Sequence, residues 1–203
     1  MLITRACSVR AAAPTPYSGA MNTGFFERFP TLETPRLMLR ELVPDDADAV
    51  FALHADGEVN RYQGIDTMTT LEPARVQIAR ARKRFQLEAG VTWAIITRAE
   101  GELVGTCSYA HFIPALDRGH LTYQLARRSW GRGLGTEAVR ALVRFGHGAA
   151  RLNRIEAVVA PENEASARVL RKAGFEDEGL LRGYGRWKGS YHDLRMFAIV
   201  RSS

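Results

Sequence analysis

The spacing of apolar and polar residues changes period along the chain, and each change marks an element. Residues 37–42 alternate, with Leu37, Leu39 and Glu41 on one face and Met38, Arg40 and Leu42 on the other, which predicts a first strand. Pro44, Asp45 and Asp46 then open a helix with Ala47, Val50, Phe51 and His54 on its inner face. Proline suits a first helical turn, and aspartates there complement the helix dipole. A second helix is predicted over residues 71–89, with Ala74, Ile78, Ala81 and Phe85 inward. Arg75, Arg80, Arg82, Lys83 and Arg84 face outward from it as a solvated face. A meander follows: a strand over 92–97, a turn at Glu100-Gly101, and strands over 103–112 and 119–126.

The helical period returns after residue 136 with Ala138, Leu142, Phe145 and Ala149, and a strand over 155–160 succeeds it. A strand, helix and strand in one sheet imply a parallel pair with a right-handed crossover. The last helix starts at Asn163, a good N-cap, and stops at Gly174 as a left-handed cap; strands over 178–184 and 191–200 close the chain. The expected sheet therefore has about seven strands, antiparallel first and parallel in the middle, with about four helices. Residues 1–30 have no period, and Ala11-Ala12-Ala13-Pro14-Thr15-Pro16 reads as loop. They are expected to form a mobile extension, with Met21 a second possible start, ahead of one domain over 31–203.

Composition narrows the class of function. The 203 residues are 46% hydrophobic and 25% charged, which suits one globular domain. No apolar run approaches the ~20 residues of a membrane span. Cys7 and Cys107 sit in unlike contexts without metal-ligand spacing, so neither a disulfide framework nor a metal site is expected, and a cytoplasmic setting fits. The net charge of +6 favours anionic ligands and argues against small polycations as substrates. No aromatic-rich strand offers base stacking, so direct nucleic-acid binding is not expected.

The chemistry concentrates between the strand ending at Leu125 and the helix after Thr136, a stretch reading Leu-Ala-Arg-Arg-Ser-Trp-Gly-Arg-Gly-Leu-Gly-Thr. Gly131, Gly133 and Gly135 bare the backbone amides and permit positive φ. Those amides meet the positive end of the next helix, a ready anion site, and Arg127, Arg128 and Arg132 add cationic donors around it. A dinucleotide fingerprint would need glycine where Thr136 stands, and a nucleoside-triphosphate loop needs a Gly-Lys pair, which the chain lacks. A pyrophosphate cradle of another kind remains.

Trp130-Gly131-Arg132-Gly133-Leu134-Gly135 resembles the acetyl-coenzyme A loop of the GCN5-related N-acetyltransferases, with tryptophan where Arg or Gln is usual. That departure is similar to the branch of ribosomal-protein alanine and serine acetyltransferases. Asn163-x-x-Ser166 with Leu170-Arg171-Lys172-Ala173-Gly174-Phe175 resembles the family's second block, and Arg36-Leu37-x-Leu39-Arg40 its opening. The resemblance covers about residues 34–200. It implies an α/β (α+β) fold of that family, with the sheet splayed at its centre. It also implies acetyl-CoA as co-substrate, held by Leu125, Ala126, Arg127, Arg128, Gly131, Arg132, Gly133, Leu134, Gly135, Thr136, Asn163 and Ser166. Ser166 would give the proton to the departing thiolate. Backbone N–H groups near Leu125 and Ala126 are suited to hold the acyl oxygen.

A base is harder to assign. The resemblance implies a carboxylate within residues 182–187, and that stretch, Arg-Gly-Tyr-Gly-Arg-Trp, holds no acid. Glu41, Glu58, His111, His120 and Tyr123 are the candidates. Glu41 is chosen because it shares a face with core residues of the first strand. The expected reaction moves acetyl to a primary amine, most readily a protein N-terminal α-amine such as that of a ribosomal protein. Small amines as acceptors, or coenzyme binding without turnover, are the alternatives. The enzyme is expected as monomer or homodimer, with no membrane association.

Overall fold

Alternation in the first strand has two targets. In the computed structural model, which describes residues 21–201, Leu37–Glu41 (β2) sends Leu37 and Leu39 into a large core under one sheet face. Leu42 enters a smaller cluster under the other face. The remaining strands are Leu32–Glu33 (β1), Val91–Thr97 (β3), Leu103–Ile113 (β4), Arg118–Leu125 (β5), Arg154–Val159 (β6), Glu176–Trp187 (β7) and Ser190–Val200 (β8). They form one sheet in the order β1-β2-β3-β4-β5-β6-β8-β7. It has one strand more than expected, because Leu32–Glu33 pairs briefly with β2. Every pairing is antiparallel except β5 with β6.

Among the described residues four helices cover the faces: Ala47–Ala55 (α1), Glu72–Gln86 (α2), Leu134–His147 (α3) and Glu164–Lys172 (α4). Ala138, Leu142 and Phe145 of α3 and Leu170 of α4 bury against Trp93, Tyr109, Leu121, Ile155 and Phe197. Val50 of α1 with Ala74 and Ile78 of α2 close the opposite face over Ala94 and Ile96. The Pro44–Asp46 segment expected to open α1 is a 3-10 turn that leads into it.

The parallel pair is short. Arg118, Gly119 and His120 pair with Arg154, Ile155 and Glu156, and there it ends. Beyond that point β5 follows β4 to Leu125 while β6 follows β8 to Val159. The sheet thus opens at its centre between two strands that remain braced on their outer sides, as expected. β4 carries a second irregularity: Tyr109 pairs with Leu121 and His111 with His120, so Ala110 is bulged out. A bulge shifts the alternation by one, and His111 falls on the same face as His120.

The N-terminal stretch differs from expectation. Residues 1–20 lie outside the described residues, but 21–30 pack against the domain rather than trailing from it. Met21, Phe25 and Phe26 are buried in the main core. Phe25 meets Phe145 edge-on at 5.1 Å and Phe29 meets Phe85 at 4.9 Å. These aromatics follow no strand or helix period because they enter through a 3-10 turn, Gly24–Phe26. Trp93 anchors the cluster from β3, fully buried, with its indole N–H donating to the Pro30 carbonyl at 2.6 Å. Trp93→Ala is expected to cost ~3–5 kcal/mol of stability, read by chemical denaturation, since it opens a large cavity and leaves that carbonyl unpaired.

Candidate functional site

The opened strands form the floor of a cleft of about 710 Å³, lined by both strands, the glycine-rich loop, the start of α4 and the 58–64 loop. That volume lies within the ~300–1,000 Å³ usual for small-molecule sites.

The loop is built tightly at its entry and left open at its tip. The Ala126 amide donates to Val104, a 3-10 turn at Arg127–Ser129 reverses the chain, and the Trp130 indole donates back to the Leu125 carbonyl at 2.8 Å. Gly131 and Gly133 then take φ of +72° and +76°, which glycine alone adopts without strain. Helix α3 starts at Leu134, and its first bond runs from the Glu137 amide to Gly133. Among the described residues no protein acceptor takes the amides of 131–136. Arg36 braces the loop from outside, donating to the Arg132 carbonyl at 2.9 Å and to the Glu137 carboxylate at 2.6 Å. The Thr34 hydroxyl joins the same carboxylate at 2.6 Å. Partial burial opposes the Glu137 charge, but hydrogen bonds from Thr34 and Arg36 outweigh it and hold the carboxyl below its usual range.

Not every residue expected at the loop reaches the cleft. Leu125, Gly131, Gly133, Gly135 and Thr136 line it. The Leu134 side chain is buried in the core, so only its amide is available. Ala126 packs with Leu53 and Val59. Arg127 and Arg128 turn away, because the 3-10 turn aims them back over the sheet. Arg127 pairs with Asp56 at 3.1 Å, and Arg128 lies 3.5 Å from Glu102. Arg132 is exposed beside the loop and does not line the cleft. The cations that do line it, Arg61, Arg168 and Lys172, were not anticipated.

Across the cleft, Asn163 is the N-cap of α4, its side-chain oxygen accepting from the Ser166 amide at 3.1 Å. Ser166 Oγ lies 2.7 Å from Tyr123 Oη, so β5 and α4 are joined by a hydroxyl pair across the opened strands. Burial pushes the Tyr123 phenol up to about 12, against a smaller opposing effect of Ser166, so it stays protonated at neutral pH. The carboxylate chosen as base does not fit. Glu41 sits at the end of β2, pairs with Arg82 of α2 at 3.1 Å and lines no part of the cleft. The strand stops there and the side chain reaches out to the helix. Glu58, His120 and Tyr123 line the cleft; His111 does not.

Two buried polar atoms in this region lack partners, Gln124 Oε1 and Ser129 Oγ, and both residues line the cleft. Buried polar groups are normally paired, so each of these atoms calls for a partner such as an ordered water. Sequence reasoning passed over both, although the alternation of β5 already puts His120, Thr122 and Gln124 on one face.

Residues 36–176 match the family model described as Acetyltransferase (GNAT) domain. The chain is 37% identical to the uncharacterized N-acetyltransferase YoaA of Bacillus subtilis (strain 168), over 85% of this chain and 98% of that protein. It is 29% identical to the [ribosomal protein uS5]-alanine N-acetyltransferase of Escherichia coli (strain K12), over 50% of this chain and 53% of that one. Among solved structures, Mycobacterium smegmatis RimJ in complex with a CoA disulfide superposes with a TM-score of 0.75 at 25% identity, covering 84% of this chain and 86% of its own.

Proposed function

Since the chain belongs to the acetyltransferase (GNAT) domain family and is an acetyl-CoA-dependent N-acetyltransferase, we propose that its acceptor is an N-terminal α-amine of a protein, such as a ribosomal protein. One observation carries this reading. Among the described residues Glu58 is the only carboxylate lining the cleft, and it is half-exposed, 3.6 Å from Arg61. A polyamine or aminoglycoside arrives as a polycation and needs carboxylates to hold it; this cleft presents Arg61, Arg168 and Lys172 instead. An acceptor that is partly neutral at pH 7 suits such a site. An α-amine, with a pKa of ~7.7–8.0, meets that condition far better than a lysine amine at ~10.4. The relatedness to the uS5-alanine enzyme supports the same class.

The residues present suit the co-substrate. The six unbonded amides of 131–136, ahead of the positive end of α3, would hold its diphosphate, and the unpaired edge of β5 would bond the pantetheine arm in the manner of an added strand. Bound there, acetyl-CoA supplies an acyl group already activated as a thioester. The Ala126 amide is bonded to Val104, so the chain's own part is to hold the acyl oxygen with an N–H that β5 turns toward the opened side, a contribution of ~10²–10³ in rate. The Ser166 hydroxyl provides a proton for the sulfur, and Tyr123 orients that hydroxyl.

Thiol release with a panel of acceptors tests the acceptor class. A peptide with a free N-terminus is expected to be turned over, with kcat/KM rising with pH and levelling near pH ~8 as the α-amine loses its proton. The same peptide blocked at its N-terminus but carrying lysine, and spermidine, are expected to release thiol near background. Faster turnover of either would overturn the reading.

A further inference from the structure

The opened sheet gives the cleft two sides, and the residues proposed to serve the coenzyme occupy only one. Tyr123 faces α4, whereas alternation along β5 puts His120, Thr122 and Gln124 on its other face, in a cleft that the 58–64 loop also lines. We propose that His120 is the general base of the transfer, accepting the proton of the incoming amine from the side of the sheet opposite Ser166.

Three features support this placement. His120 occupies the last rung of the parallel pair, so its side chain stands where the strands begin to part. It lines the cleft, yet among the described residues no protein group bonds either ring nitrogen, and neither nitrogen is a sealed, unpaired atom. The ring is also held in place: the bulge at Ala110 turns His111 onto it, and the two rings stack at 5.0 Å with planes 5° apart. A catalytic base has to be both fixed and unoccupied, and His120 is both.

The charged and titratable groups facing the ring are His111 on β4, Arg118 on its own strand and Glu156 on β6. Glu156 is committed elsewhere, to Arg154 at 2.7 Å and Arg118 at 3.3 Å. Burial first, then His111 and Arg118, bring the His120 pKa down to about 4 against the pull of Glu156, so the imidazole keeps its lone pair throughout the physiological range. The other candidates fall away on geometry. Glu58 is half-exposed beside Arg61, Tyr123 is bonded to Ser166, and Glu41 lies off the cleft.

In the step itself the amine nitrogen forms a bond to the acyl carbon while the carbon–sulfur bond breaks and its electron pair leaves on sulfur. The nitrogen's proton passes to His120, and the sulfur takes a proton from the Ser166 side. After the products leave, water takes the proton from His120 and restores one to the Ser166 hydroxyl, so the enzyme returns to its starting state with no net proton gained or lost. A weak base is adequate, because the nitrogen becomes strongly acidic as its bond to the acyl carbon forms.

The proposal rests on the N-acetyltransferase reading but not on the choice of acceptor, so the test uses whichever amine the wild-type enzyme turns over fastest. His120→Ala is expected to lower kcat ~100-fold or more, to leave coenzyme A affinity by calorimetry within threefold, and to regain at least tenfold in rate on addition of imidazole. Nuclear magnetic resonance titration of the His120 ring in the free protein is expected to show no protonation above pH ~5. His120→Gln, which keeps bulk and a polar end, should show the same loss of kcat with intact coenzyme binding, and it serves if the alanine variant fails to fold. A kcat within threefold of wild type in either variant overturns the proposal, as does a loss that imidazole does not restore. A wild-type protein inactive with every amine would instead refute the transferase reading.

Discussion

Gly133→Val is expected to weaken coenzyme A binding about 100-fold while the protein stays folded. The residue holds φ at +76°, where a side chain costs ~1–2 kcal/mol and a β-branched one more. The chain would relieve that strain by turning the 132–134 peptides, and the amides that converge ahead of α3 would no longer do so. Losing one or two hydrogen bonds to a charged group, at ~1.5–3 kcal/mol each, brings the total to ~3 kcal/mol or more, which is the factor of 100. Arg36 lies close on that side as well, its guanidinium 3.5 Å from where a Cβ would stand. Gly131→Ala is the useful contrast. A Cβ there meets nothing within 4 Å, so only backbone strain is added and a loss nearer tenfold is expected. Calorimetric titration with coenzyme A separates the two variants. Valine binding within threefold of wild type would remove the loop from the account of the site.

Ser166→Ala and Tyr123→Phe are each expected to lower kcat ~100-fold with coenzyme affinity little changed, and the double variant is expected to be hardly worse than either. The reason is the 2.7 Å bond between the two hydroxyls. If Ser166 gives up its proton to sulfur and Tyr123 fixes the direction of that hydroxyl, removing either group disables the same step. Two groups that act as one unit show strong non-additivity in a double-mutant cycle. The alanine change leaves the helix start intact, since Asn163 accepts from the Ser166 amide and not from its side chain. Losses that multiply, reaching ~10⁴ in the double variant, would show that the tyrosine acts separately from the serine.

Much of this site is readable in the chain because its features are local. Alternate glycines before a helical stripe announce open amides, and Asn163 three residues ahead of Ser166 announces a cap; both depend on neighbours within one turn. What was not readable depends on parity or on distance. Arg127 and Arg128 look like cradle cations until a 3-10 turn points them at Asp56 and Glu102. His111 would face away from His120 in regular alternation, and only the bulge at Ala110 brings the rings together. Nothing in the periodicity marks that bulge. Glu41 fits the alternation of the first strand, but no pattern says where that strand stops or that Arg82 takes the side chain. Phe25 and Phe26 have no period at all, since their partners Phe85, Phe112 and Phe145 lie far along the chain.

That aromatic clasp also sets an order of assembly. The Met21 amide donates to Asp117, the Asn22 amide to the Ala150 carbonyl, and Phe25 rests on Phe145. During synthesis Asp117 follows Met21 by 96 residues, and Ala150 and Phe145 come later still, so none of those partners exists when the stretch first leaves the ribosome. The earliest part of the domain to emerge is therefore among the last to find its place, waiting as a short greasy thread for α3 to arrive and give it somewhere to lie.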